Sequence, residues 1–246
     1  MSEFHGLCLK AGIVNPMLLF VGGGNMASSL ISGSIATGII VLSVKPQSRH
    51  EVFDSIKRLG ISLEGCPLVI SILAGIGITT LQEELSVIGF RGPVIRLMPN
   101  TAATICSSAS IISAPDNTND QFVEIVEELA SKVGMCLRVD SKNFNAYATI
   151  GGSAPAWVYM FIESLADGGV LAGCSRETAL KLAAQSVMGA AQMVLATGEH
   201  PAALKDKVCS PAGTTISGLR KLEEHGFRSA VIEAVKAASD TANSMS

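Results

Sequence analysis

The chain has 246 residues, 48% of them apolar and only 16% charged, with 18 basic and 21 acidic side chains for a formal charge of −3. That supply of apolar residues excludes a disordered chain, and the missing basic excess argues against a nucleic-acid binder with a broad cationic face. Six cysteines and four histidines are scattered without a CxxC pair or a Cys/His cluster, which excludes a zinc site and a dense disulfide framework and predicts buried reduced thiols, surface or capping histidines and no metal.

Residues 11–44 carry no charge at all, a stretch longer than the ~20 apolar residues of a membrane span. Asn15, Pro16, the triple glycine at 22–24 and Asn25 interrupt it, and exposed backbone groups are costly in hydrocarbon, so no membrane partner is expected. The N-terminal residues, including Glu3 and His5, do not read as a cleaved signal peptide. A cytoplasmic protein is the expectation.

The first apolar run, 17–21, lies between Pro16 and the glycines and reads as a buried strand ending in a tight turn. Residues 27–36 suit a helix of small side chains with Leu30 and Ile31 inward, and 39–44 form a second, β-branched strand ended by Lys45-Pro46. Val52, Ile56 and Leu59 mark one face of a helix over 49–59, and 68–74 is a third strand. Thr80 and Glu83 have capping-box spacing ahead of Leu81, Leu85 and Ile88. Strands follow at 93–98 and 110–113. A turn at 116–119 leads, through a second capping box at Thr118 and Gln121, into a helix carrying Phe122, Ile125, Leu129 and Val133. A short strand at 135–139 closes this half.

Strands alternating with helices of crossover length predict a mostly parallel sheet with helices on its faces. After Asp140 no strand pattern remains, and long alanine-rich stretches run through 143–171, 175–197 and 215–243 with breaks at Gly173, 198–201 and 210–213. The expected division is an α/β nucleotide-binding domain over 1–140 and an all-α domain over 141–246. The second-half helices are apolar around much of their girth, which favours an interlocked homodimer over a compact monomeric bundle.

Four strand ends and one turn carry the candidate chemistry. Gly22, Gly24 and Ala27 fill the G-x-G-x-x-G/A pattern between a strand and a helix, where close backbone approach and the helix N-terminus favour a pyrophosphate. The fingerprint is incomplete: a charged ribose reader ~20 residues on, at the end of a second strand, is expected but missing. Val44-Lys45-Pro46, Ala74-Gly75 and Met98-Pro99-Asn100-Thr101 stand at the ends of later strands, where ligands collect in open α/β sheets. The turn 208–216, VCSPAGTTI, opens a helix with hydroxyl groups and suits a small carboxylate; an ordinary N-cap by Ser210 or Thr214 is the simpler alternative.

FVGGGNMA (20–27), SVKPQ (43–47), SILAGI (71–76), VIRLMPNT (94–101), GGSAPAWVYMFIESLADGGVLAG (151–173) and HPAALKDKVCSPAGTTISGL (200–219) together resemble pyrroline-5-carboxylate reductases, from about residue 17 to the C-terminus. The resemblance implies a Rossmann-like domain, with one strand-helix unit missing from its parallel sheet, followed by an all-α dimerisation domain and dimers that assemble into rings. It implies reduction of the C=N bond of 1-pyrroline-5-carboxylate to L-proline by NADPH or NADH. By that likeness the cofactor lies along Gly22, Gly24, Asn25 and Met26, with Val44, Lys45, Pro46, Ala74 and Asn100 beside it. The substrate is held by Ser210, Gly213, Thr214 and Thr215, with Thr215 and Ser210 as the catalytic hydroxyls near the ring nitrogen.

The chain also departs from the family pattern. About forty residues between the helix after the glycines and the SVKPQ strand are absent, far beyond ordinary loop variation, and the ribose reader goes with them. Ala102 replaces the proline after MPNT, Gly151, Ala154 and Trp157 alter SGSGPAY, and Ala212 replaces a glycine, which matters if that position needs a positive φ. Coenzyme binding weaker than in a complete relative is therefore expected. A subunit that dimerises but does not turn over is the alternative function.

Overall fold

The computed structural model describes residues 3–14, 16–22 and 38–245. The chain divides into two compact units, Met1–Gly152 with Ala237–Ser246, and Ser153–Lys236.

The first unit opens with helix α1 (Glu3–Lys10), which the sequence reading did not anticipate, followed by β1 (Leu18–Gly22) and β2 (Ile39–Ser43). Then come α2 (Arg49–Arg58), β3 (Leu68–Ser71), α3 (Ile78–Ser86), β4 (Val94–Met98), β5 (Ser108–Ser113), α4 (Asp120–Ser131), β6 (Gly134–Arg138) and the short α5 (Phe144–Ala148). Among the described residues these strands make one six-stranded sheet in the order β1-β2-β3-β4-β5-β6. All pairings are parallel except β4 with β5, where Arg96 faces Ser113 and Met98 faces Ile111. The expected helix at 27–36 lies outside the described residues.

Two apolar layers sandwich the sheet, as parallel strands require. Val21, Ile40, Leu42, Val69 and Val94 pack under α2 and α3 through Phe53, Ile56, Leu81 and Leu85. On the opposite face Ile39, Val41, Leu68, Ile70, Ile95 and Ile112 meet α1 through Cys8 and α4 through Val123, Ile125 and Val126. Among the described residues β1 is an edge strand, with Leu18 exposed and Phe20 62% exposed.

Local details correct several expectations. α3 begins at Gly77, whose carbonyl accepts from Leu81 N at 3.2 Å, so Thr80 lies inside the helix and the Thr80/Glu83 box does not form. α4 is capped by Asn119, whose side chain accepts from Gln121 N at 3.0 Å; Thr118 Oγ1 is buried without a partner among the described residues. Phe53 enters the core of α2 while Leu59, beyond its last turn, is exposed. All six cysteines are free, but Cys106 and Cys174 are exposed rather than buried.

In the second unit α6 (Ala154–Leu171) and α7 (Arg176–Thr197) pack as an antiparallel pair, with Ala166, Ala179 and Ala183 the buried residues of their seam. Gly169 permits that approach, since a methyl there would stand 3.0 Å from Ala179 Cβ. α8 (Pro201–Val208), missed in the sequence, and α9 (Thr214–Glu224) follow. α10 (Phe227–Ser244) starts after Gly226, whose φ of +70° ends α9. Leu171, Leu182, Leu195, Met160 and Ile232 are more than 60% exposed, so these helices bury little of their apolar surface within the unit. Arg176–Thr197 is long and apolar enough to cross a membrane by length and composition.

Candidate active site

The carboxyl ends of β1 to β4 shape the first candidate region, and hydrogen bonds stitch them together. Ser43 Oγ donates to the Val21 carbonyl at 3.0 Å, tying the end of β2 to that of β1. Gly22 is half-buried at the last position of β1, and a Cβ there would meet Ser43 Oγ at an ordinary 3.5 Å. Gly24, Asn25 and Met26, the core of the predicted pyrophosphate loop, lie outside the described residues.

Lys45 is exposed and extended (φ −64°, ψ 139°) and opens a single 3-10 turn, Pro46–Ser48, with Ser48 N donating to the Lys45 carbonyl at 2.9 Å. Arg49 holds that turn: Nη1 donates to the Pro46 carbonyl at 3.0 Å while Nε pairs with Glu84 of α3 at 3.1 Å. This clamp escaped the sequence reading because its partners lie 35 positions apart. Val44 is 6% exposed and packs in the core, so only its backbone faces the tip. At the β3 end Ala74 is exposed, and Gly75 adopts φ +73° where a Cβ would stand 2.9 Å from Met245 Cβ. Only glycine satisfies both conditions.

Asn100 is the clasp of the β4 tip. Its Oδ1 accepts from Ala102 N at 3.0 Å, its Nδ2 donates to the Gly151 carbonyl at 2.8 Å, and its backbone N donates to Ser108 Oγ at 3.0 Å. Both ends of the amide are thus committed to shaping the tip. Four residues earlier, Arg96 is 5% exposed, lies 3.8 Å above the Phe144 ring and donates through Nη2 to Asn145 Oδ1 at 3.3 Å. Its Nε has no partner among the described residues, and burial pulls the guanidinium down to about 10. Together Asn100 and Arg96 fasten residues 144–151 to β4. A charged residue alternating with Val94 in a core strand was the sequence signal for this contact.

The second candidate region lies in the second unit. His200 caps α8, its Nδ1 accepting from Ala202 N at 3.2 Å, as expected of a capping histidine. After Cys209 the chain turns, with Gly213 N donating to the Ser210 carbonyl at 3.1 Å, and α9 starts at Thr214. Gly213 is the N-cap and no side chain caps the helix, so neither Ser210 nor Thr214 plays the ordinary capping role. The first intrahelical bond comes from Ser217 N to the Gly213 carbonyl, leaving the amides of Thr214, Thr215 and Ile216 without helical acceptors. Ser210, Thr214 and Thr215 are all exposed. Amides at a helix start beside free-facing hydroxyls form an anion-binding end. Ala212 adopts φ +54°, in the left-handed region that favours glycine.

The two regions differ in the chemistry they present. The strand tips, with their small side chains and one exposed cation, fit the pyrophosphate and nicotinamide portion of a dinucleotide. They do not fit its adenosine ribose: residues 11–44 contain no charged reader, and β1 has no strand beyond it among the described residues. No cluster of metal-ligating side chains occurs among the described residues.

Comparison with known proteins bears on both regions. A family model for pyrroline-5-carboxylate reductase dimerisation matches residues 141–245. The chain is 37% identical to a pyrroline-5-carboxylate reductase of Methanosarcina acetivorans, covering 92% of this chain and 96% of the relative. It is 41% identical to one from Escherichia coli, covering 87% and 77%. The archaeal alignment extends over 266 positions but uses 92% of these 246 residues, about 226, so about 40 positions of the relative have no counterpart here. In structure the chain is similar to Plasmodium falciparum pyrroline carboxylate reductase with NADP bound, at a TM-score of 0.77, 30% identity and coverage of 98% and 93%. A Streptococcus pyogenes 1-pyrroline-5-carboxylate reductase gives 0.78, 26%, 99% and 96%.

Proposed function

The chain belongs to the pyrroline-5-carboxylate reductase family, and from that membership we propose that it reduces the C=N bond of 1-pyrroline-5-carboxylate to L-proline with NADPH or NADH. The observation that carries this reading is the uncapped, hydroxyl-bearing start of α9, in a chain alike to these reductases over nearly its whole length.

The coenzyme supplies a hydride when bound, which is the hard chemistry of the reaction. This chain's residues hold and orient. The strand tips at Gly22, Lys45, Pro46, Ala74 and Asn100 carry the dinucleotide, continued by Gly24, Asn25 and Met26 and by the backbone of Val44. The amides of Thr214 and Thr215 receive the substrate carboxylate, with Ser210 and Gly213 shaping the turn. Thr215, or Ser210 beside it, exchanges a hydrogen bond with the ring nitrogen, and a protonated cyclic imine needs no further activation to accept a hydride. Neither a nucleophile nor a metal enters.

The matched dimerisation region and the exposed apolar helices support a homodimer in which a second copy, rather than lipid, covers α6, α7 and α10. We extend this to a ring of dimers and to a cytoplasmic enzyme. A subunit that assembles without turning over is not favoured, because the catalytic-turn hydroxyls persist alongside the helical half. The test is a rate assay: purified protein with pyrroline-5-carboxylate is expected to oxidise NADPH or NADH and release proline. Dimers with no turnover under either coenzyme would support the assembly reading instead.

A further inference from the structure

A polar row crosses the sheet face that carries Val69 and Val94. Ser71 of β3 stands in register with Arg96 of β4, and Arg96 with Ser113 of β5, so the three side chains share that face. They are 1%, 5% and 4% exposed. The rows on either side are apolar, Val69 beside Val94 and Met98 beside Ile111.

Polar groups buried this deeply are expected to be paired. Ser71 Oγ accepts from Leu73 N at 3.3 Å. Arg96 Nε and Ser113 Oγ, however, are both buried without a hydrogen-bond partner among the described residues. Directly opposed residues of an antiparallel pair have Cβ atoms about 4.5–5.5 Å apart. Since the two orphaned atoms do not bond each other, both call for one acceptor that each can reach. Asn145 is not that acceptor: its Oδ1 takes Arg96 Nη2, and its Nδ2 donates to Asn243 Oδ1 at 3.0 Å. The Phe144 ring, 3.8 Å from the guanidinium carbon, attracts the charge but supplies no lone pair.

Charge decides what the acceptor is. Burial alone moves the Arg96 guanidinium, down to about 10, and no carboxylate lifts it back, so it is charged at neutral pH without an acidic partner among the described residues. A buried charge without a counter-charge is costly. A water molecule could accept from both donors, but it would bring two protons of its own to a site flanked by apolar rows. An anion accepts from both, brings none and neutralises the arginine. We propose that Arg96 and Ser113 form a buried site for one small monovalent inorganic anion, a halide of chloride size, beside Phe144. The bound anion fixes the side chain that holds Phe144 and Asn145 to β4.

The test follows urea unfolding of the full chain as sodium chloride replaces sodium gluconate at constant ionic strength, together with anomalous diffraction from crystals grown in sodium bromide. Chloride is expected to raise the urea midpoint saturably, and one bromide to stand within hydrogen-bond reach of Arg96 Nε and Ser113 Oγ. Ser113→Ala, which removes one donor and little volume, is expected to raise the half-saturating chloride concentration at least about tenfold. Arg96→Met is expected to abolish the chloride dependence; if that variant does not fold, the Ser113→Ala shift decides. A midpoint indifferent to chloride, the same dependence in parent and variants, or water in place of bromide each overturns the proposal. So does bromide in the crystal without a saturable effect in solution, which would mark an adventitious ion only.

Discussion

Moving one methyl group by one residue separates the chemistry proposed for the 210–215 turn from its stability. At position 212 the methyl is in the wrong place: Ala212 has φ +54°, which costs a residue with a Cβ about 1 kcal/mol. Ala212→Gly removes that strain but adds backbone entropy to the unfolded chain worth about 0.5–1 kcal/mol, so stability changes by less than about 0.5 kcal/mol. At position 213 the methyl is missing for a different reason. Gly213 has φ −79° and ψ 171°, open to any residue, but a Cβ there would collide with Ser210 Oγ and stand 3.1 Å from the Ser210 carbonyl. The hydroxyl escapes by rotating, at about 0.5–1.5 kcal/mol. Rotation carries Ser210 Oγ away from the place proposed for the substrate, and a lost hydrogen bond to a charged group costs about 1.5–3 kcal/mol, or about 10- to 150-fold in kcat/KM. Gly213→Ala is thus expected to fold almost normally and to lose activity as severely as Ser210→Ala. Urea unfolding and initial rates on the same preparations check this; a Gly213→Ala enzyme within twofold of the parent kcat/KM refutes the role given to the turn.

Three further outcomes follow from the packing. Phe144→Ala removes a side chain 1% exposed and should cost about 3–5 kcal/mol. A double-mutant cycle with Arg96→Met should return about 1–2 kcal/mol of coupling from the stacked cation, and coupling near zero would contradict the stacking. Burial pushes the Cys66 thiol from 9.0 up to about 11. The folded state therefore holds that proton where the unfolded state loses it. Stability is full below about pH 9 and falls by up to about 3 kcal/mol as pH rises to 11. Cys66→Ala should flatten this alkaline decline in urea midpoints. Phe20→Lys, on an exposed edge strand, should change stability by less than about 0.5 kcal/mol and reduce light scattering on concentration, because charge on an edge strand opposes pairing between chains.

Periodicity made most of this fold legible. Short apolar runs marked all six strands, the first four bounded by glycine or proline, and the loss of strand pattern after Asp140 marked the helical half. The errors were of local geometry. The capping boxes failed because Gly77 and Asn119 began their helices at positions other than Thr80 and Thr118. α1 was missed because its packing against α4 is tertiary. The strand tips were legible as motifs, but the engagement of Asn100 with Gly151 and the Arg49–Glu84 clamp arise only on folding. The question raised over Ala212 came from the family resemblance, and the turn does hold that residue at a positive φ.

The most direct test of the central claim follows the hydride itself. Turnover of pyrroline-5-carboxylate with a coenzyme deuterated at the transferring C4 position should place one deuterium on the ring carbon of proline that lies next to nitrogen and opposite the carboxylate-bearing carbon. Proline free of deuterium, or no proline at all from folded dimeric protein, would contradict the account.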